Sequence, residues 1–92
     1  MASKKFIVHG KVQGVSFRIQ TQEMAEALGI HGWVRNCEDG SVEVHAEGEE
    51  ESLQALQEWL HAGPDAAEVR KVERRTVEEE GCSEFFIVRQ RV

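Results

Sequence analysis

The chain has 92 residues, 40% hydrophobic and 30% charged, which fits one small soluble globular domain and excludes a disordered chain or two domains. Its 11 basic and 17 acidic residues leave a formal net charge of -6, which argues against a nucleic-acid partner, because binding a phosphate backbone draws on a basic patch. No apolar run has the length of a membrane span, and residues 1–5 lead into no apolar signal core, so the chain reads as cytoplasmic with no membrane partner.

Residues 5–12 alternate, with Phe6, Val8 and Val12 on one side and Ile7, His9 and Lys11 on the other, which predicts a strand. From residue 17 to 28, Phe17, Thr21, Met24, Ala25 and Leu28 share one stripe and predict an amphipathic helix, closed by Gly29. Residues 30–37 read as a second strand, and Asp39-Gly40 as the hairpin turn into a third. In that third strand Val42, Val44 and Ala46 alternate with Glu43, His45 and Glu47, the second set forming the expected exposed face. Glu49, Glu50 and Glu51 open a second helix, where acids complement the dipole. Leu53, Leu56, Trp59 and Leu60 make its buried stripe, and Gly63-Pro64 close it. Residues 69–77 form a charge-rich strand near an edge, and the broken alternation at Val69 and Val72 predicts a bulge. A polar loop at 78–83 precedes a last short strand at 85–92. The order β-α-β-β-α-β plus one strand predicts an α+β, ferredoxin-like domain spanning residues 1–92. Two helices would cover one face of an antiparallel sheet, with an extra C-terminal strand.

The chemistry concentrates in residues 10–18, Gly-Lys-Val-Gln-Gly-Val-Ser-Phe-Arg, where a strand turns into a helix. A helix start leaves backbone N–H groups without partners, and the dipole there favours an anion. Gly14 allows backbone angles that other residues resist and lets an anion come close. Arg18 is out of place by the dipole argument, but an anion between its guanidinium and the N–H groups resolves the conflict. A plain strand-to-helix turn with a solvated arginine is the other reading. Asn36 ends the second strand. Its neutral amide could hold a water in a set orientation without titrating, or serve only the neighbouring turn.

Other chemistry is missing. His9, His31, His45 and His61 show no metal-ligand spacing, and Cys37 and Cys82 form no metal pair, so no metal and no cofactor are expected. The two cysteines read as free thiols. His9 and His45 share a sheet face by parity and read as surface histidines. There is no Walker loop, no nucleophile elbow and no catalytic carboxylate pair.

Residues 8–18, Val-His-Gly-Lys-Val-Gln-Gly-Val-Ser-Phe-Arg, resemble the first signature of the acylphosphatase family. Gly32-Trp33-Val34-Arg35-Asn36, followed by Asp39-Gly40-Ser41-Val42, resembles the second. Thr21, Ala25, Leu28-Gly29 and Phe86-Ile87 extend the likeness over the chain. The resemblance implies a metal-free hydrolase that splits acyl phosphates into a carboxylate and inorganic phosphate. It implies that Arg18 binds the phosphoryl group with the backbone N–H groups of Gln13, Gly14, Val15, Ser16, Phe17 and Arg18, and that Asn36 orients the attacking water. Lys11 stands where the family often has arginine. Cys37, a weak hydrogen-bonding residue, follows Asn36 and bears on how firmly that amide is oriented.

A monomer is the expected state at this size. A non-catalytic ferredoxin-like module that binds an anion or a protein is the alternative, since such sheets host many functions. A domain detached from a larger maturation enzyme is the less favoured reading, because the chain begins and ends near the domain boundaries.

Overall fold

The structure, a computed structural model, describes residues 1–89. Five strands and two helices follow one another as β1 (Ala2–Lys11), α1 (Phe17–Ala27), β2 (His31–Asn36), β3 (Val42–Gly48), α2 (Glu50–Ala62), β4 (Glu68–Thr76) and β5 (Phe85–Val88). The strand order across the sheet is β4-β1-β3-β2-β5. The first four strands pair antiparallel. β5 joins parallel to β2, so the sheet is mixed at that edge. β3 lies between β1 and β2, and β1 between β3 and β4, which makes two interlocked split β-α-β units. Residues 90–92 of the predicted last strand lie outside the described residues.

The predicted alternation places the core. Phe6, Val8, Val34, Val42, Val44 and Ala46 are fully buried with Phe17 and Ala25 of α1 and Leu53, Leu56 and Leu60 of α2. Phe17 meets Trp59 at 5.7 Å between ring centroids, tying the first turn of α1 to α2. The predicted bulge is present. His9 pairs with Lys71 and Gly10 with Val69, which leaves Arg70 as the extra residue on the edge strand β4.

The other face of the sheet departs from expectation. Glu43, His45 and Glu47 were expected to face solvent, yet they are 6%, 2% and 3% exposed. Neighbouring strands supply part of the cover. Lys5 and Arg35 reach Glu43 from the two sides, and Trp33 stacks on His45 with ring centroids 5.6 Å apart. The loop after β4 supplies the rest. Its Glu80 and Cys82 amides donate to the Glu47 carboxylate, and the Cys82 carbonyl meets His31. His9 does share this face with His45, paired to Glu73 near the edge, but only His45 is enclosed.

Candidate active site

The loop between β1 and α1 is shaped by two left-handed residues. Gly14 has φ 75, and a Cβ there would meet nothing within 4 Å, so glycine serves conformation at this position and not space. Ser16 has φ 61 and is the one non-glycine residue with positive φ among the described residues. It is also the N-cap of α1, yet its side chain makes no capping bond. A left-handed residue followed by a helical one turns successive N–H groups toward one concave side, the arrangement of an anion nest. None of the amide N–H groups of residues 13–19 donates to a backbone carbonyl among the described residues.

Arg18 follows the buried Phe17 in the first turn of α1, a turn with no acidic residue. Its Nη1 donates to the Val88 carbonyl at 3.3 Å, and about one helical turn later Gln22 Nε2 donates to the Phe85 carbonyl at 3.0 Å. These two side chains, four residues apart on one helix face, dock β5. One N–H of Arg18 is spent there, and the rest of the five-donor fork remains for a ligand. Among the described residues Arg18 has no ion-pair partner.

Asn36 stands at the end of β2, opposite Val42. The hairpin after it is held by backbone bonds. Cys37 N–H donates to the Ser41 carbonyl at 2.8 Å, and Gly40 N–H to the Cys37 carbonyl at 3.1 Å. Asp39 accepts from the Ser41 amide at 2.9 Å and from its hydroxyl at 2.6 Å. These bonds, the hydroxyl's first, hold the Asp39 carboxyl below its ordinary pKa. The Cys37 thiol is therefore not what fixes the chain beside Asn36. Gln13 adds the link between loop and hairpin. Its Nε2 donates to the Cys37 carbonyl at 2.8 Å and to the Ser41 carbonyl at 2.9 Å.

Gly14, Ser16, Phe17, Arg18 and Asn36 line one cavity of about 90 Å³ with Val12, Ile19, Ile87 and Arg89. A second of about 190 Å³ holds Gln13, Arg18, Asn36, Val88 and Arg89. Residues 18 apart in sequence thus share one concave site. A larger open depression of about 520 Å³ also touches Gly14, Val15 and Ser16, but has neither Arg18 nor Asn36 on its wall. The sequence profile of the family described as "Acylphosphatase" matches residues 4–87, which takes in the whole of this site except Val88 and Arg89.

The chain belongs to the acylphosphatase family. It is 52% identical over 82 residues to an acylphosphatase of Pseudomonas paraeruginosa, covering 89% of this chain and 90% of that one. The crystal structure of an acylphosphatase from Bacillus subtilis superimposes with a TM-score of 0.93 at 38% identity, covering 96% of this chain and 99% of that chain. An acylphosphatase from Coxiella burnetii gives a TM-score of 0.91 at 40% identity, covering 95% and 92%. As an acylphosphatase, the chain is a hydrolase that takes an acyl phosphate and releases inorganic phosphate. The reading as a non-catalytic ferredoxin-like module gives way to these matches.

Two contributors to this candidate site escaped the sequence. Arg89 lines both cavities beside Arg18 and Asn36 because β5 adds parallel to β2. The side chain of Gln13 bridges to the hairpin and acts beyond its backbone N–H. Neither leaves a local signal, since each depends on a partner more than 20 residues away.

Proposed function

We propose that Arg18 and the amides of Gln13, Gly14, Val15, Ser16, Phe17 and Arg18 bind the phosphoryl group, and that Asn36 orients the attacking water. The observation that carries this reading is the run of amides at 13–19 without a backbone acceptor, in the loop whose cavity holds both Arg18 and Asn36. The water oxygen bonds to phosphorus as the bond to the acyl oxygen breaks. The carboxylate leaves with the electron pair, and a water proton passes to a phosphoryl oxygen, giving inorganic phosphate. A carboxylate, whose acid has a pKa of about 4, leaves without protonation, so the reaction needs no general acid. Phosphoryl transfer runs through a loose transition state that responds mainly to positioning and charge. The guanidinium and the amides supply the charge, and Asn36 supplies the position.

The reaction needs no metal in this scheme. The whole chain, 1–92, acts as one domain, in the cytoplasm, as a monomer, with no nucleic-acid or membrane partner. The formal net charge of -6 and the two free cysteines support that setting. Among the described residues the exposed large hydrophobics are Met1, Ile19 and Phe86, too few for a broad apolar interface. No helix among those residues is long and apolar enough to cross a membrane.

The test is phosphate release from benzoyl phosphate with EDTA present. The wild type turns over at an unchanged rate with the chelator. Arg18→Ala, still folded, loses more than about 100-fold, as deletion of one oxyanion donor costs about 3 kcal/mol. Near-normal turnover by that variant, or inhibition by EDTA, overturns the scheme.

A further inference from the structure

On the face of the sheet away from the helices, the fold closes a second cluster that the hydrolysis does not use. His45 and Glu47 are two residues apart on the central strand β3, so both side chains point to this face, and each side chain is 3% exposed. Cys82 arrives from the loop between β4 and β5. One nitrogen of His45, one oxygen of Glu47 and the sulfur of Cys82 all lie within 4.8 Å of one another.

The surroundings are arranged as an outer shell. His45 Nε2 faces Glu47 at 2.7 Å, while its Nδ1 lies 3.8 Å from Glu80 Oε2. Trp33 stacks on the imidazole at 14° between planes and donates its Nε1–H to Glu80 Oε1 at 2.9 Å, which holds Glu80 in place. The Glu47 carboxylate is aimed by the amides of Glu80 and Cys82. A carboxylate behind the far nitrogen of a histidine, and backbone donors on a ligating carboxylate, are what orient ligands in protein metal sites.

We propose that His45, Glu47 and Cys82 bind a zinc-type divalent cation, at a site separate from the catalytic cavity. The donor set decides the class of ion. Imidazole and thiolate select zinc-like cations over magnesium or calcium, which take oxygen ligands. Three protein ligands and one water complete a tetrahedral site. On binding, the cation displaces the proton between His45 Nε2 and Glu47, which moves to Nδ1 on the side of Glu80, and the thiol proton of Cys82, which leaves to solvent. The two amide bonds to Glu47 persist. The ion then staples the loop at 77–84 to β3 and fixes the entry to β5, whose Val88 carbonyl receives Arg18. Cys82 lies 35 residues beyond Glu47, which is why no ligand spacing is visible in the sequence.

Cobalt(II) and zinc added to the chelator-stripped full chain test this. Cobalt gives a near-ultraviolet thiolate-to-cobalt charge-transfer band in the wild type and in Cys37→Ser, and no such band in Cys82→Ser or His45→Gln. In the wild type, zinc slows alkylation of Cys82 by about tenfold or more and leaves Cys37 unchanged, because a metal-held thiolate is withdrawn from attack. The alkylation needs no variant, so it decides the matter even if Cys82→Ser does not fold. A wild type without the band, a band that disappears with Cys37 and persists without Cys82, or equal reactivity of Cys82 with and without zinc overturns the site. None of these readouts uses hydrolysis, so they stand apart from the proposed mechanism.

Discussion

Asn36 and Gln13 line the same cavity but meet different partners there. Asn36 lines both cavities with Arg18, and among the described residues its side chain makes no hydrogen bond that would occupy the amide. Asn36→Ala is therefore expected to lower kcat far more than it weakens inhibition by phosphate, because a water held for attack matters to the transition state and not to the bound product. Equal losses in kcat and phosphate affinity would assign it to binding. Gln13 acts through others, since its amide holds the Cys37 and Ser41 carbonyls of the hairpin that follows Asn36. Both carbonyls keep a backbone donor when the side chain is removed, so Gln13→Leu should cost little stability, about 1 to 2 kcal/mol. Its kcat should nonetheless fall about tenfold to 100-fold, because a displacement of about 1 Å between cradle and water is enough for that. A stability loss without a kcat loss would make Gln13 structural only.

At the scale of elements, the site is made where three of them end together. β1 delivers the loop, α1 delivers Arg18, and the β2–β3 hairpin delivers Asn36. Gly32 keeps β2 and β3 in contact near the loop that covers His45. Its φ is 148, and a Cβ there would lie 1.8 Å from the His45 carbonyl oxygen and 2.8 Å from the carbonyl carbon. Backbone atoms cannot swing aside as a side chain can, so Gly32→Ala must shift one strand against the other. The expected loss is about 3 kcal/mol, or a drop in Tm of more than about 10 °C for a domain of this size. An unchanged melting curve would show that the strands part without cost.

Across the whole molecule, stability should form a plateau bounded by two sets of groups. Hydrogen bonds from Ser41 and His9 hold Asp39 and Glu73 below the usual carboxylate pKa. Burial pushes Glu47 up, but its bonds from His45, Glu80 and Cys82 outweigh this and leave it lowered as well. A carboxyl with a lower pKa in the folded state stabilises above its unfolded pKa, and that contribution is lost as pH falls through the folded value. Stability should therefore decline below about pH 4. Cys82 has the opposite sign, since burial and then the Glu47 and Glu80 charges raise its pKa. Its contribution is complete below the unfolded value and declines as pH rises beyond about 8.5 toward the folded one. Urea unfolding across pH, in EDTA, checks both limbs. Cys82→Ser should flatten the alkaline limb and leave the acid limb, and an alkaline limb that survives the substitution would rule out this origin.

The sequence by itself determined what is local. Alternation in residues 5–12 and 42–47 and the stripes of both helices placed the core, since a buried face repeats every two residues in a strand and every three or four in a helix. The loop at 10–18 stood out as a candidate anion site because Gly14, a helix start and Arg18 lie close together in the chain. Only the tertiary structure decided which polar residues are enclosed. Parity assigns Glu43, His45 and Glu47 to one face, but their burial comes from Lys5, Trp33, Arg35 and a loop 35 residues beyond Glu47. The same holds for Arg89 and for the bridge from Gln13, which exist because distant strands pair. Periodicity reports which way a side chain points, and only the packed chain settles what it meets there.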